Sequence, residues 1–289
     1  MRVSDIIIGV ILLSQTTVGA LGNTFLVYHY LLLYFKGCKL KFTDWILQHL
    51  IVANFLTLLC RGVPSMVSVF GLQDFLNDFG CKLTFCLHRI GRGMSISSTC
   101  FLSVFQAITI SPKVSRWTQL KAKSPIFIAS AVYMSWILSV IVNIAFPMYM
   151  TARGKNLNIT SLKNFEYCFS IRHSSALDIF YAVLHSTPDA MFMLMMLWSS
   201  GYMVCILYRH KKRMKRIHKS NFSFRSSPEF RATKAILFLV STFVFFYTIS
   251  CILQTNNSIM FNPDSFMVKL SSVFSACFPA VSPFLVITH

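Results

Sequence analysis

Seven long hydrophobic runs, separated by short polar segments, dominate the pattern of the chain. An α-helix needs about 20 mostly apolar residues to cross the hydrocarbon core of a bilayer, and lipid forces every backbone group to bond within its own segment. The pattern predicts spans at about residues 6–34, 45–71, 83–111, 125–148, 178–208, 235–256 and 268–288. No long soluble segment separates them. Residues 1–289 are therefore predicted to form one domain, an all-α seven-transmembrane helix bundle.

Composition supports a membrane protein. Of the 289 residues, 55% are hydrophobic and only 12% are charged, whereas soluble domains carry about 25% charged residues. The net charge of +18 would suggest nucleic acid in a soluble protein, but the basic residues lie in short segments between apolar runs. Catalytic motifs and metal-ligand clusters are absent from the sequence. We therefore expect no enzyme, no cofactor, no metal site and no nucleic-acid partner.

The distribution of lysine and arginine predicts the orientation. Seventeen of the 27 lie in the first, third and fifth connections, and short cytoplasmic loops are enriched in these residues. The amino terminus is therefore predicted outside, which gives a rhodopsin-like topology. The most basic segment follows span five and contains Arg209, Lys211, Lys212, Arg213, Lys215 and Arg216. It is predicted to be an inner loop that binds anionic lipids, at about 1 kcal/mol per basic residue, and it leaves room for a protein partner.

Two features of the predicted outer side agree with this orientation. The sequon that begins at Asn158 lies in the fourth connection, where a glycan can be added. Cys81, at the outer start of span three, and Cys168, in the same connection as Asn158, both face an oxidising compartment. They form either a disulfide or two unpaired thiols, and the shared compartment favours the disulfide.

Span three carries an unusual set of ionisable residues, His88, Arg89 and Arg92. Charge in hydrocarbon is costly, so such groups usually face a cavity or a partner. Arg92 follows Cys81 by eleven residues, roughly 16 Å along a helix, and is predicted to point into the bundle because the outer surface is hard to reach. Arg89 is closer to the interface and can either snorkel or point inwards. Gly91 and Gly93 would let a neighbouring helix or a ligand approach.

The only carboxylate deep in a predicted span is Asp189. Its expected partner is a basic group such as Arg92, Arg89 or His185, and the alternative is a counter-charge for a ligand. Arg61 lies in span two just before a proline, where opened backbone carbonyls could accept its hydrogen bonds. For Arg61 a structural role is favoured over ligand contact.

Several runs of sequence are typical of one receptor family: Cys81–Leu83 with Leu87–Gly93, Ser103–Pro112, Arg225–Glu229 with Arg231–Thr233, and Pro279–Phe284. Over essentially its whole length the chain resembles the vomeronasal type-1 receptors. Asn54 stands where other rhodopsin-like receptors have a sodium-binding aspartate, and no Asp-Arg-Tyr occurs near Val104–Ala107. These departures are typical of the same receptor group.

The resemblance implies a G-protein-coupled chemosensory receptor of the plasma membrane. Its ligand would be a pheromone or another small semiochemical, bound between the outer halves of the helices, and its partner an inhibitory-type G protein. The predicted ligand-binding residues are Arg92, Arg89, His88 and Asp189. A bitter-taste-like receptor, a receptor-like chain that does not signal, and a transporter are the alternatives. The end of the chain at His289, six residues after Pro283, is expected to weaken export or coupling.

Overall fold

The computed structural model describes residues 3–71, 75–112, 115–144, 150–151, 162–164, 167–171, 175–217, 228–260 and 264–287. Within these ranges lie seven helices long and apolar enough to cross a membrane, which confirms the predicted bundle. They are α1 (Val3–Phe35), α2 (Phe42–Val69), α3 (Asp78–Ile110), α4 (Ser115–Asn143), α5 (Ser175–Ile217), α6 (Pro228–Ile259) and α7 (Ser265–Ile287). We call "outer" the end of the bundle that the charge distribution assigns to the outside.

Several helix ends differ from the predicted limits. α4 and α6 begin earlier, at Ser115 and Pro228 rather than near residues 125 and 235. α4 ends at Asn143 rather than near residue 148; Pro147 follows closely in the sequence, and a proline disfavours the helical conformation of the residue before it. α5 continues to Ile217, so the first part of the basic segment is helical rather than a loop. Lysine and arginine are good helix formers and favour the carboxyl end of a helix dipole, and neither Gly nor Pro interrupts the segment.

A π-helical turn at Leu58–Gly62 interrupts α2. Pro64 lies two residues after the end of this turn. A proline inside a helix lacks the N–H donor and collides with the carbonyl four residues earlier, here that of Cys60. The wider turn relieves this conflict. It carries Arg61, which is only 6% exposed. Nε of Arg61 donates a hydrogen bond to Oγ of Ser272 on α7 at 3.1 Å, and not to the backbone carbonyls expected from the sequence.

α3 lies at the centre of the bundle and packs against α2, α4, α5 and α6. α7 packs against α1, α2 and α6. Large apolar side chains on the sides of the bundle, such as Ile126 on α4 and Trp198 on α5, are exposed. In a bilayer these side chains face lipid tails, so burial against protein is not needed to stabilise them.

A small antiparallel sheet lies in the outer connection between α4 and α5. Its strands are β1 (Met150–Thr151), β2 (Leu162–Asn164) and β3 (Phe169–Ile171), in the order β1-β3-β2. Strands of two or three residues are too short for an alternating pattern, which is why the sequence did not indicate them. β1 lies against α3, so the sheet holds the connection close to the outer end of the central helix.

At Gly91 the backbone of α3 lies close against α2. A Cβ atom at this position would lie 2.9 Å from the carbonyl oxygen of Ala53 and 2.9 Å from Oγ1 of Thr57. Side-chain carbons do not approach a backbone oxygen this closely in a packed structure. The helix contact therefore requires glycine at position 91.

We expect Gly91→Ala to destabilise the protein by about 1–3 kcal/mol, because the added methyl forces α2 and α3 apart. Gly201→Ala is the matched control, since a Cβ atom there meets nothing within 4 Å and alanine is the better helix former by about 1 kcal/mol. Thermal unfolding of both purified variants in detergent measures the difference. An unfolding midpoint for Gly91→Ala equal to that of Gly201→Ala would contradict the close-contact argument.

Candidate functional site

A buried arginine lies in the outer half of the bundle. Arg92 on α3 is eleven residues past Cys81, which places it about 16 Å along the helix. Its side chain is almost fully buried. The guanidinium donates one hydrogen bond from Nη1 to Oγ of Ser250 at 2.9 Å and one from Nη2 to Sγ of Cys251 at 2.9 Å. Both acceptors belong to α6, so this side chain joins α3 to α6.

Asp189 on α5 completes the arrangement. Its Oδ2 lies 4.0 Å from Nε of Arg92 and accepts a hydrogen bond from the hydroxyl of Tyr247 at 2.7 Å. The Tyr247 ring also lies against the guanidinium, with its centroid 4.2 Å from Cζ of Arg92, a distance at which a cation–π interaction is favourable. We call these residues the Arg92 cluster: Arg92, Asp189, Tyr247, Ser250 and Cys251.

The Arg92 cluster links three helices through one buried ion pair. Each charged group is expensive to bury alone, and the neighbouring hydroxyl, thiol and ring offset part of that cost. A change in the partners of Arg92 or Asp189 must therefore change how α3, α5 and α6 pack. This coupling makes the cluster the candidate functional site.

The other predicted ligand-binding residues lie near the cluster or on the same helix. The charge of Arg89 interacts with those of Arg92 and Asp189, so Arg89 belongs to the same electrostatic environment. His88 is buried. The side chain of His185 is outside the described part of the chain, and so is Asn158, whose glycan stays a prediction. Of the pairings expected for Asp189, the structure contains the one with Arg92.

Three members of the cluster were not expected from the sequence: Tyr247, Ser250 and Cys251. A signal for them exists on α6, where Tyr247, Ser250 and Gln254 follow one another at spacings of three and four residues. Such a spacing places polar groups on one face of an otherwise apolar helix. Gln254 extends this face by donating a hydrogen bond from Nε2 to Oγ of Ser250 at 3.1 Å.

The cavities beside the cluster are small. One, of about 20 Å³, is bordered by Arg92, Tyr247 and Ser250. Another, of about 40 Å³, is bordered by Asp189 and Asn143 on the α4 side. Each has room for only one or two water molecules, whereas ligand pockets are usually 300–1,000 Å³. Within the described part of the chain, neither of these two cavities holds a ligand of that size unless the helices beside the cluster separate.

The outer end of α3 is covered by the connection that carries the small sheet. Cys81 and Cys168 are joined by a disulfide with a Cα–Cα distance of 5.9 Å. Next to it, the rings of Phe85 and Tyr167 lie 5.5 Å apart. These four side chains form a buried cluster. The bond therefore fixes the connection above the helix that carries Arg92.

A different contact joins α3 and α6 towards the inner end of the bundle. Gln106 on α3 donates a hydrogen bond from Nε2 to Oγ1 of Thr233 on α6 at 3.0 Å, and both residues are buried. Gln106 lies in the segment where the Asp-Arg-Tyr of other receptors is missing. Beyond this contact, Arg209 and Lys212 on the helical extension of α5 are exposed; the side chains of Lys211, Arg213, Lys215 and Arg216 are outside the described set.

Comparison with known proteins decides the family. Residues 6–289 match the model of the vomeronasal organ pheromone receptor family. The chain belongs to this family. Its members are receptors and not enzymes, which agrees with the lack of catalytic motifs in the sequence. Together with the seven apolar helices, the match makes the protein a multi-pass membrane receptor and confirms the resemblance seen in its sequence.

Individual relatives are similar in sequence to this chain along nearly its whole length. Vomeronasal type-1 receptor 4 of Homo sapiens is 49% identical over 277 residues, covering 96% of this chain and 92% of that protein. Vomeronasal type-1 receptor 3 of Homo sapiens is 42% identical over 290 residues, covering 100% of this chain and 93% of that protein. Olfactory receptor class A-like protein 1 of Danio rerio is 31% identical over 281 residues, covering 97% of this chain and 88% of that protein. These similarities support a chemosensory receptor.

Proposed function

We propose that the receptor binds a pheromone or another small semiochemical between the outer halves of its helices and signals through an inhibitory-type G protein. The ligand-contacting residues would be Arg92, Arg89, His88 and Asp189. The observation that carries this proposal is the Arg92 cluster, because one buried ion pair holds three helices together at a depth that a ligand entering from outside could reach.

A ligand with a polar group acts by competing inside the cluster. A hydrogen-bond acceptor would take the place of Asp189 beside the Arg92 guanidinium, and a donor would take the place of the Tyr247 hydroxyl beside Asp189. The cavities here are small, so the bound ligand also separates α3, α5 and α6. It shifts the equilibrium only as far as it binds the separated arrangement more tightly than the closed one.

Separation of α3 and α6 would also affect the inner end of the bundle. α3 and α6 are joined there by the hydrogen bond from Gln106 to Thr233, and helices are stiff enough to transmit a change of packing along their length. Loss of this bond would open a crevice for the G protein. The basic extension of α5, with Arg209 and Lys212 exposed, would contact the partner and anionic lipid headgroups.

Signalling in cells tests the proposal. Cells expressing the chain are exposed to a panel of volatile and steroid ligands, and cyclic AMP is measured with and without pertussis toxin. We expect a ligand that lowers cyclic AMP only when the toxin is absent. Asp189→Asn removes the charge but keeps an oxygen for Tyr247, and we expect it to weaken the response about 10- to 100-fold, the effect of losing a charged hydrogen bond. Asp264→Asn, at an exposed position outside the cluster, is the matched control.

A second arm needs no ligand. Gln106→Ala and Thr233→Val each remove the inner hydrogen bond, and we expect both to lower basal cyclic AMP relative to the unchanged chain at equal surface expression. No response to any ligand together with unchanged basal signalling in both variants would favour a receptor-like chain that does not signal. Ion flux in the same cells, without any change in cyclic AMP, would favour a transporter.

A further inference from the structure

A larger cavity lies in the inner half of the bundle, away from the Arg92 cluster. Its volume is about 410 Å³, within the range of ligand pockets. Side chains of α3 between Val104 and Ile108 and of α5 between Met195 and Tyr202 form its wall, to which the described part of α4 adds none. Trp198, which belongs to this wall, is 83% exposed. The cavity therefore opens sideways, towards the bilayer.

The hydroxyl groups of this cavity are already paired within the protein. Oγ of Ser199 lies 2.7 Å from Oγ of Ser103. The Tyr202 hydroxyl lies 3.0 Å from Oγ of Ser111. Because Ser111 has one O–H donor, which bonds to the carbonyl of Ala107, Tyr202 is the donor in this pair. With its hydroxyls paired and its other lining side chains apolar, the cavity suits an apolar chain rather than a polar ligand.

Positive charge lies at the inner end of the cavity. Lys121 of α4 donates a hydrogen bond to the backbone carbonyl of Ser111, whose side chain also binds Tyr202. An ammonium group has three N–H donors, and this contact uses one. Arg209 is exposed and follows Tyr202 by seven residues, which places it on the same face of α5, two turns nearer the inside. The apolar cavity therefore ends near two cations at the inner surface of the membrane.

We propose that this cavity binds one anionic phospholipid of the inner leaflet, with an acyl chain between α3 and α5 and the headgroup on Lys121 and Arg209. The sideways opening admits the chain, and the two cations complement the negative headgroup. A sterol would bring no charge to these cations. Unlike the general attraction of the basic extension of α5 for lipid headgroups, this site holds one molecule at one place. The bound chain fills the space between α3 and α5 and stabilises their packing.

Thermal unfolding with different lipids tests this site. The full chain is purified in detergent, and its unfolding midpoint is measured while dioleoyl phosphatidylserine, dioleoyl phosphatidylcholine or cholesterol is added at increasing mole fraction. We expect phosphatidylserine alone to raise the midpoint to a plateau, by about 2–4 °C, because a lipid that binds only the folded state stabilises it by mass action.

Two lysine variants separate a defined headgroup site from diffuse attraction. Lys121→Gln keeps a donor for the Ser111 carbonyl but removes the charge, so half of the rise should need about five times more phosphatidylserine. Lys123→Gln is the matched control. It lies at an exposed position two residues further along α4, which turns its side chain away from Lys121. We expect it to respond to phosphatidylserine as the unchanged chain does.

Ala107→Phe tests the cavity itself, because the added ring takes the space of the acyl chain. We expect this variant to lose the rise with phosphatidylserine. A second measurement uses phosphatidylserine and phosphatidylcholine with brominated acyl chains, since bromine quenches the fluorescence of a nearby tryptophan and Trp198 lines the cavity. Half of the quenching should occur at a lower mole fraction of the brominated phosphatidylserine, and Trp198→Phe should remove this difference between the lipids.

Four results would overturn the proposal. Equal rises with phosphatidylserine and phosphatidylcholine would show that the headgroup is not recognised. A rise with cholesterol alone would assign the cavity to a sterol. Equal effects of Lys121→Gln and Lys123→Gln would indicate diffuse attraction, and a full rise in Ala107→Phe would place the lipid elsewhere. If Ala107→Phe does not fold, the quenching decides, and equal half-quenching mole fractions for the two brominated lipids overturn the site.

Discussion

Replacing Asp189 with alanine is expected to lower the free energy of unfolding of the receptor by about 3–5 kcal/mol, the cost of leaving one partner of a buried ion pair without the other. Arg92 would keep its hydrogen bonds to Ser250 and Cys251, but its charge would remain uncompensated inside the bundle. The Tyr247 hydroxyl would lose the acceptor that lies 2.7 Å away. Both lost interactions belong to the contact that joins α5 to α3 and α6.

A double-mutant cycle in purified receptor measures this energy. Arg92→Met and Asp189→Leu are combined, and the pair is compared with each single variant in thermal or denaturant unfolding. We expect the double variant to be more stable than either single one, because apolar residues can replace a buried pair at little cost. If Asp189→Ala unfolds within about 0.5 kcal/mol of the unchanged chain, the range of an ordinary surface substitution, the ion pair does not stabilise the bundle.

The second large effect is expected from the bond between Cys81 and Cys168. It closes a segment with a sequence separation of 87 residues that contains all of α4. Closing a long loop reduces the conformational freedom of the unfolded chain, and removing such a bond typically costs about 2–5 kcal/mol. Cys168→Ser should also release the outer connection from α3. We therefore expect a severe loss of surface expression as well as a lower unfolding midpoint.

Three variants and a reductant identify the bond as the cause. Cys81→Ser, Cys168→Ser and the double variant should be equally destabilised, because each removes the same bond. Dithiothreitol should lower the unfolding midpoint of the unchanged receptor to that of the variants. It should leave the midpoints of the variants unchanged. Cys205→Ser, at an exposed free cysteine on α5, is the control for loss of a thiol. Additive effects of the two single changes would indicate that each cysteine acts separately.

The transmembrane architecture was predictable because it depends on local properties of the sequence. Each span is an apolar run long enough to cross a bilayer, and lipid allows such a run little choice but a helix. Helix ends were less predictable. α4 ends at Asn143 and α5 at Ile217. Proline, helix propensity and charge act together on the last few residues of a helix, and the length needed to cross a bilayer does not determine which residue ends it.

The candidate site was predictable for its charged members only. Arg92 and Asp189 are exceptional residues in apolar spans, so the cost of burying charge indicated that each needs a partner. Tyr247 and Ser250 are ordinary residues in a membrane helix, and the three-dimensional contact with Arg92 gives them their importance. The same holds for Arg61: its burial was apparent from the sequence, but its serine partner on α7 was not.

The sequence by itself determined the number of helices, their direction and the positions of the buried charges, because run length, lysine and arginine distribution and charge burial act locally along the chain. Only the tertiary structure decided which helices meet. It brings α5 and α6 to Arg92, α7 to Arg61, and the backbone of α2 to Gly91. These contacts join residues far apart in sequence and depend on how the whole bundle packs, which no local pattern records.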